Sequence, residues 1–91
     1  MNPKEPTMTT SAPFHDADRE AERKRADRLV AESFGPGSTL RSPEFIDGFR
    51  ARLYFSFAGD PITNPHPTGT AQADAYFSGI DYGRIVAHMQ G

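Results

Sequence analysis

The 91-residue sequence predicts an all-α protein: a helical hairpin with close small-residue packing, preceded by a charged helix and a disordered N-terminal arm. Three observations carry that expectation. Phe45, Ile46, Phe49, Leu53 and Phe57 repeat at the spacing of one helical face. Ala71, Ala75, Gly79, Gly83 and Ala87 recur at four-residue intervals and form a ridge of small side chains. Oppositely charged residues three and four apart fill the stretch before them, as on an exposed helix.

Residues 1–13 hold three prolines, four serines or threonines and almost nothing to bury. They cannot offset the cost of ordering their backbone and are expected to be disordered. Residues 14–34 are the charged helix. Glu20 with Lys24 and Arg28 with Glu32 pair at four residues, Asp16 with Arg19 and Glu22 with Arg25 at three. Each such pair adds about 0.2–0.5 kcal/mol to an exposed helix. Ala26, Leu29, Val30 and Phe34 gather on one stripe at its end, which is expected to dock on the remainder of the chain. Gly35 and Pro36 then stop the helix, with Gly35 expected as a left-handed cap, and residues 35–42 form a hinge.

Residues 43–91 are the hairpin domain. Ser42, Pro43 and Glu44 read as an N-cap, a proline in the first turn and an acid at the positive helix end. The helix they open is expected over 43–58, with Gly59, Asp60 and Pro61 as its stop. Asn64-Pro65-His66-Pro67 follows, and its prolines bias Asn64 and His66 toward extended backbone. Thr70 is a suitable N-cap for a last helix over 70–89, anchored by Tyr76, Phe77, Ile80, Ile85, Val86 and Met89. Two glycines inside that helix cost about 1 kcal/mol each relative to alanine, so close approach of the 43–58 helix is expected along the ridge. A core this small needs a docked first helix, a second copy or a partner to complete it, so a homo-oligomer or partner dependence is expected.

Composition narrows the chemistry. Ten Lys and Arg against twelve Asp and Glu give a net charge of −2, unlike a domain held to nucleic acid by a general basic field. The absence of cysteine removes disulfides, thiolate catalysis and cysteine-ligated zinc. No apolar run spans a bilayer and residues 1–13 have no apolar signal core, so a cytoplasmic protein is expected. His15, His66 and His88 share no metal-ligand spacing, and Asp81, Arg84 and His88 read as a surface ion-pair cluster. Ser56 and Ser78 stand mid-helix without a base or elbow, and the Gly35–Thr39 stretch lacks the lysine of a phosphate-binding loop. No catalytic residue, metal ligand or cofactor is expected, and the chain reads as a non-enzyme. Five basic and six acidic residues over 14–34 make that helix a salt-laced surface rather than a phosphate-binding stripe. Arg41, Arg50, Arg52 and Arg84 differ, because aromatics flank them and arginine beside an aromatic suits stacking and bidentate phosphate contact.

Over residues 48–84 the chain resembles the ribosome modulation factor family, which includes small plasmid and phage proteins. The matching positions are Ala58-Gly59, then Asn64-Pro65-His66, then Tyr76-Phe77-Ser78-Gly79, followed by Ile80 and Arg84. The chain departs from the family in having no tryptophan, His66 in place of tyrosine, and an acidic net charge. An acidic chain forgoes most of the electrostatic attraction that holds such a protein to ribosomal RNA. The resemblance implies a ribosome- or RNA-associated, hibernation-type regulator of translation that acts by occupying a site. The nucleic-acid contacts expected on that reading are Arg50, Arg52 and Arg84 on phosphates, with Asn64 and His66 on base or backbone edges. The alternative is a phage or mobile-element inhibitor or adaptor that engages a larger protein complex through Glu20, Glu22 and Asp27 on its acidic helix.

Overall fold

A computed structural model describes residues 16–37 and 40–90. Among them are three helices and no strand: α1 (Asp16–Phe34), α2 (Pro43–Ala58) and α3 (Ala71–Gln90). The all-α class is therefore as the sequence predicts. The expected arm, the first two residues of the charged helix, and Ser38 and Thr39 of the hinge lie outside the described residues. No helix among the described residues is long and apolar enough to cross a membrane.

Local chemistry sets the helix ends. Ser42 has extended backbone (φ −68°, ψ 155°), and its Oγ accepts the Phe45 N–H at 3.2 Å. Gly59, with φ of 78°, closes α2: its N–H donates to the Phe55 carbonyl at 3.1 Å, and the Asp60 N–H to the Tyr54 carbonyl at 3.4 Å. The Gly59–Phe55 bond is that of an αL ending, which a left-handed glycine makes cheap. Thr70 caps α3, its Oγ1 accepting the Ala73 N–H at 3.1 Å and donating to the Pro67 carbonyl at 2.7 Å. One expectation changes at the end of α1. Gly37, not Gly35, carries the positive φ, at 88°. Gly35 is needed for close approach instead, since a Cβ there would stand 2.6 Å from the Ala31 carbonyl oxygen.

Phe49 and Leu53 of α2 are fully enclosed, with Ala26 and Val30 of α1 and Phe57 of α2 around them. Burying side chains of this size contributes about 1.5–3 kcal/mol each. Phe34, at the end of α1, meets Phe49 edge-on with ring centres 4.9 Å apart, and the ring of Tyr82 lies 5.3 Å from Phe49 and 6.3 Å from Phe34, so the three rings form one cluster. Thus α1 docks as its apolar stripe predicts. Arg25 lies 4.2 Å over the Phe57 ring, Tyr54 donates to Asp27 at 2.7 Å, and Phe34 reaches Phe45 and Phe49. Numbers rise along α1 as they fall along α2, so these two helices are antiparallel.

The hairpin is the main correction. Gly79 lies against Phe45, Gly83 against Phe49 and Arg52, and Ala87 and His88 beside Ser56. Numbers rise together along both helices, so α2 and α3 run in the same direction. A hairpin would set them running oppositely. The chain must therefore travel back along α2, whose sixteen residues rise about 24 Å. Residues 59–70 can do so, since an extended segment of that length spans up to about 40 Å. Pro61, Pro65 and Pro67 favour extended backbone there, and the Tyr76 hydroxyl donates to the Thr63 carbonyl at 3.2 Å, tying the returning chain to α3.

Close packing is as expected, and of the ridge Gly79, Gly83 and Ala87 take part in it while Ala71 and Ala75 do not. Ala71 is exposed and Ala75 only half-buried, while Gly79 and Gly83 are buried opposite a glycine the sequence reading did not use, Gly48. A Cβ on Gly48 would overlap the Tyr76 carbonyl oxygen, and one on Gly79 the Phe45 carbonyl oxygen. One on Gly83 would come 2.9 Å from both the Phe49 carbonyl oxygen and Arg52 Cβ. Phe77, Ile85 and Met89, expected as anchors, are 51%, 49% and 74% exposed. They stand on the opposite side of α3 from Gly79 and Gly83, a consequence of the 100° step between residues.

Two expected outcomes test this packing. Alanine at Gly48 or Gly79 improves helix propensity by about 1 kcal/mol, yet its methyl meets backbone that cannot swing aside. Overpacking of this kind costs about 1–3 kcal/mol, and a domain of this size loses about 4–8 °C of melting temperature per kcal/mol. Thermal melts of Gly48→Ala and Gly79→Ala are therefore expected well below wild type; equal or higher values contradict the contact.

The second concerns Asp60, which accepts from Arg23 Nε at 2.8 Å and Nη2 at 3.0 Å and so ties α1 to the start of the connector. The hydrogen bond from Arg23 holds the Asp60 carboxyl below the usual carboxylate range. A carboxyl lowered in the fold contributes stability that is present above about pH 4 and lost as pH falls through the folded value. Asp60→Asn should lower the melting temperature near neutrality and flatten its acid-side decline, and parallel pH profiles would contradict this.

Candidate functional site

The parallel register brings the C-terminal halves of α2 and α3 side by side. Between them lies an open groove of about 470 Å³, lined by Arg52, Ser56, Arg84, Ala87 and His88. Each helix supplies its part at a four-residue spacing, Arg52 with Ser56 and Arg84 with His88, so both pairs face the same side. The glycine contact seats the first arginine: Arg52 Cβ and Cγ lie 2.9 and 3.3 Å from where a Gly83 Cβ would be. With that stem pressed against the α3 backbone, the guanidinium is carried to the groove. Arg52 Nε donates to Ser56 Oγ at 3.2 Å, and its planar head lies 5.1 Å over the ring of Phe55.

Arg84 stands across the groove, 57% exposed, with Nε 3.9 Å from Asp81 Oδ1. So long and exposed a pair holds the side chain weakly, typically by less than 1 kcal/mol. The expected Asp81–Arg84 contact is thus present, while His88 faces the groove in the last turn of α3. Donors in a last turn also offset the partial negative charge of the helix end, by about 0.3–1 kcal/mol for a cation. Two guanidinium groups, a hydroxyl and an imidazole in one open concavity make a site for an anion with several acceptor oxygens.

The other expected contacts are elsewhere. Arg50 faces α1, its Nε 3.6 Å from Asp27 and its Nη1 3.5 Å from Asp47, so it serves helix docking. Asn64 Oδ1 accepts the His66 N–H at 2.9 Å, a local turn within the connector. The His66 ring packs edge-on against Tyr76 at 5.7 Å, with Nε2 buried and without a hydrogen-bond partner among the described residues. Burial raises the Tyr76 phenol above its ordinary range, with Asp47 adding to the shift. These connector groups shape the return of the chain and do not reach the groove.

The acidic residues are engaged within the chain. Glu20 lies 3.7 Å from Arg23, Glu22 lies 3.3 Å from Arg25, and Asp27 accepts from Tyr54 and sits beside Arg50. Burial, and then the bond to Asp27, raise the Tyr54 phenol. Among the described residues no cluster of three or more His, Asp or Glu could hold a metal ion. Ser56 and His88 were not anticipated as site residues, although the four-residue spacings to Arg52 and Arg84 are visible in the sequence. Compared with protein-family models, with curated proteins and with solved structures, the chain matches none.

Proposed function

We propose that this chain is a small cytoplasmic, non-enzymatic, RNA-associated regulator of the ribosome-modulating kind, which acts by occupying a site and depends on that partner. The observation that carries the reading is the groove itself: Arg52 and Arg84, brought together from two helices, with Ser56 and His88 as further donors. Such a set suits phosphate oxygens, and it gives an acidic chain a local cationic site where its overall charge offers none. The resemblance supports the scaffold more than the ligand. Gly59 is the cap of α2, Asn64 the connector turn, and Gly79 the helix contact.

A protein-binding inhibitor or adaptor of phage or mobile-element type is the second reading. The observation in its favour is apolar rather than acidic: Phe77 and Ile85 are about half exposed on α3, and Met89 more so. Its acidic form is weakened because Glu20, Glu22 and Asp27 already face arginines of this chain.

Salt dependence separates the two. Each phosphate neutralised on a single strand contributes about −0.7 to the slope of log affinity against log salt, and about −0.9 on a duplex. Binding to purified ribosomal subunits or RNA should show a slope of about −1.4 to −1.8 for two such contacts. Arg52→Ala and Arg84→Ala should each flatten it by nearly one unit. Arg50→Ala, which changes helix docking only, should leave the slope intact. If neither Arg52→Ala nor Arg84→Ala alters binding in chains that melt like wild type, the RNA reading fails.

A further inference from the structure

We propose that the groove takes an unpaired nucleotide of an RNA strand, with its phosphate between Arg52 and Arg84 and its base stacked on Phe55. The proposal rests on the RNA reading above and names the form of RNA that reading leaves open. Phe55 is its central observation. The inward face of α2 is formed by Phe49, Leu53 and Phe57, whereas Phe55 points away from it and is 46% exposed. The core does not need this ring. It adjoins Ser56 of the groove in sequence and has the Arg52 guanidinium over it at 5.1 Å, whose Nε donates to Ser56, while the rest of the ring is exposed to a base. An aromatic face next to a positioned guanidinium is the arrangement by which single strands are held, by stacking and charge together.

Duplex RNA fits the same surface poorly. Bases within a duplex present edges to a protein, and their faces are covered by neighbouring pairs, so Phe55 would meet none of them. Shape recognition of a duplex also needs phosphate contacts spread over many base pairs. Here Arg52 and Arg84 converge on one concavity of about 470 Å³, and the chain as a whole is acidic. Arg23, Arg25 and Arg50, which could have extended a basic track, face carboxylates of this chain. A site that small and that local suits one nucleotide whose base is already free to turn outward.

The test uses the full chain and a fluorescein-labelled ten-nucleotide RNA of mixed sequence, single-stranded or annealed to its complement, with anisotropy as the readout. The single strand should bind at least about tenfold more tightly than the duplex. Phe55→Ala should weaken the single strand about 5- to 150-fold, the range for loss of one base stack. It should leave the salt slope unchanged, because no phosphate contact is removed, and Phe55→Trp should restore affinity. Melting curves of both variants should match wild type, since the ring is outside the core. If Phe55→Ala binds the single strand like wild type while Arg52→Ala and Arg84→Ala weaken it, the stacking proposal is overturned and the RNA reading stands. Equal binding of duplex and single strand also overturns it. Absence of binding to either strand overturns the proposal, and if ribosomal subunits are also not bound, the RNA reading falls with it.

Discussion

Backbone touches backbone where Gly48 meets α3 and where Gly79 and Gly83 meet α2, and the other features of the fold follow from that contact. Side chains ordinarily hold helices 8–10 Å apart, and removing them at three facing positions lets the helices approach more closely. The approach has a register, because only a glycine can stand opposite the carbonyls of Phe45, Phe49 and Tyr76. Sliding α3 by one turn would put Ala75 in the place of Gly79 or Ala87 in the place of Gly83, where a Cβ meets the Phe45 or the Phe49 carbonyl oxygen. The contact therefore selects a single alignment, in which Arg52 and Ser56 stand beside Arg84, Ala87 and His88. A glycine pair that costs helix propensity thus determines which cations share a groove.

The parallel direction makes the connector a structural element. It must span the length of α2, which accounts for three prolines, an asparagine turn and a tyrosine bonded to a connector carbonyl in so short a stretch. Docking of α1 completes the core from the other side of α2. That interface is mixed: Ala26, Val30 and Phe34 supply the apolar part, and Arg23 with Asp60 and Asp27 with Tyr54 supply directed bonds. Glu20 and Glu22 are engaged with arginines of α1 itself, and Asp27 with Arg50 and Tyr54 of α2. The groove between α2 and α3 and the apolar outer face of α3 remain open to a partner.

Much of the fold was legible in the sequence because local chemistry sets it. The caps at Ser42, Gly59 and Thr70 and the apolar repeat of α2 depend on residues within one or two turns, and each is found where the spacing places it. The docking stripe of α1 was legible for the same reason. Helix direction was not, because it depends on where a connector leads, and the prolines of residues 61–67 fit either a loop or a return path. Periodicity also misplaced Phe77, Ile85 and Met89: apolar residues suggested a buried stripe, whereas the glycines mark the face that is buried. Gly48 could have been read, since a glycine amid Phe45, Ile46 and Phe49 needs a reason as much as Gly79 does. Of the expected nucleic-acid contacts, Arg52 and Arg84 share a site, while Arg50, Asn64 and His66 are used by the scaffold. That division follows from which faces the parallel register turns toward each other.

The direction of α3 relative to α2 can be measured on this chain directly, because it contains no cysteine and two can be introduced for spin labels without competition. Ser56, Gln72 and His88 are all exposed. Residues 72 and 88 are separated by about 24 Å along a helix, enough to distinguish the two directions by electron–electron dipolar spectroscopy. A parallel pair places labels at Ser56→Cys and His88→Cys close together, and labels at Ser56→Cys and Gln72→Cys farther apart by roughly that helix length. The reverse order, with position 72 near position 56, would establish a hairpin and remove the physical basis for the groove.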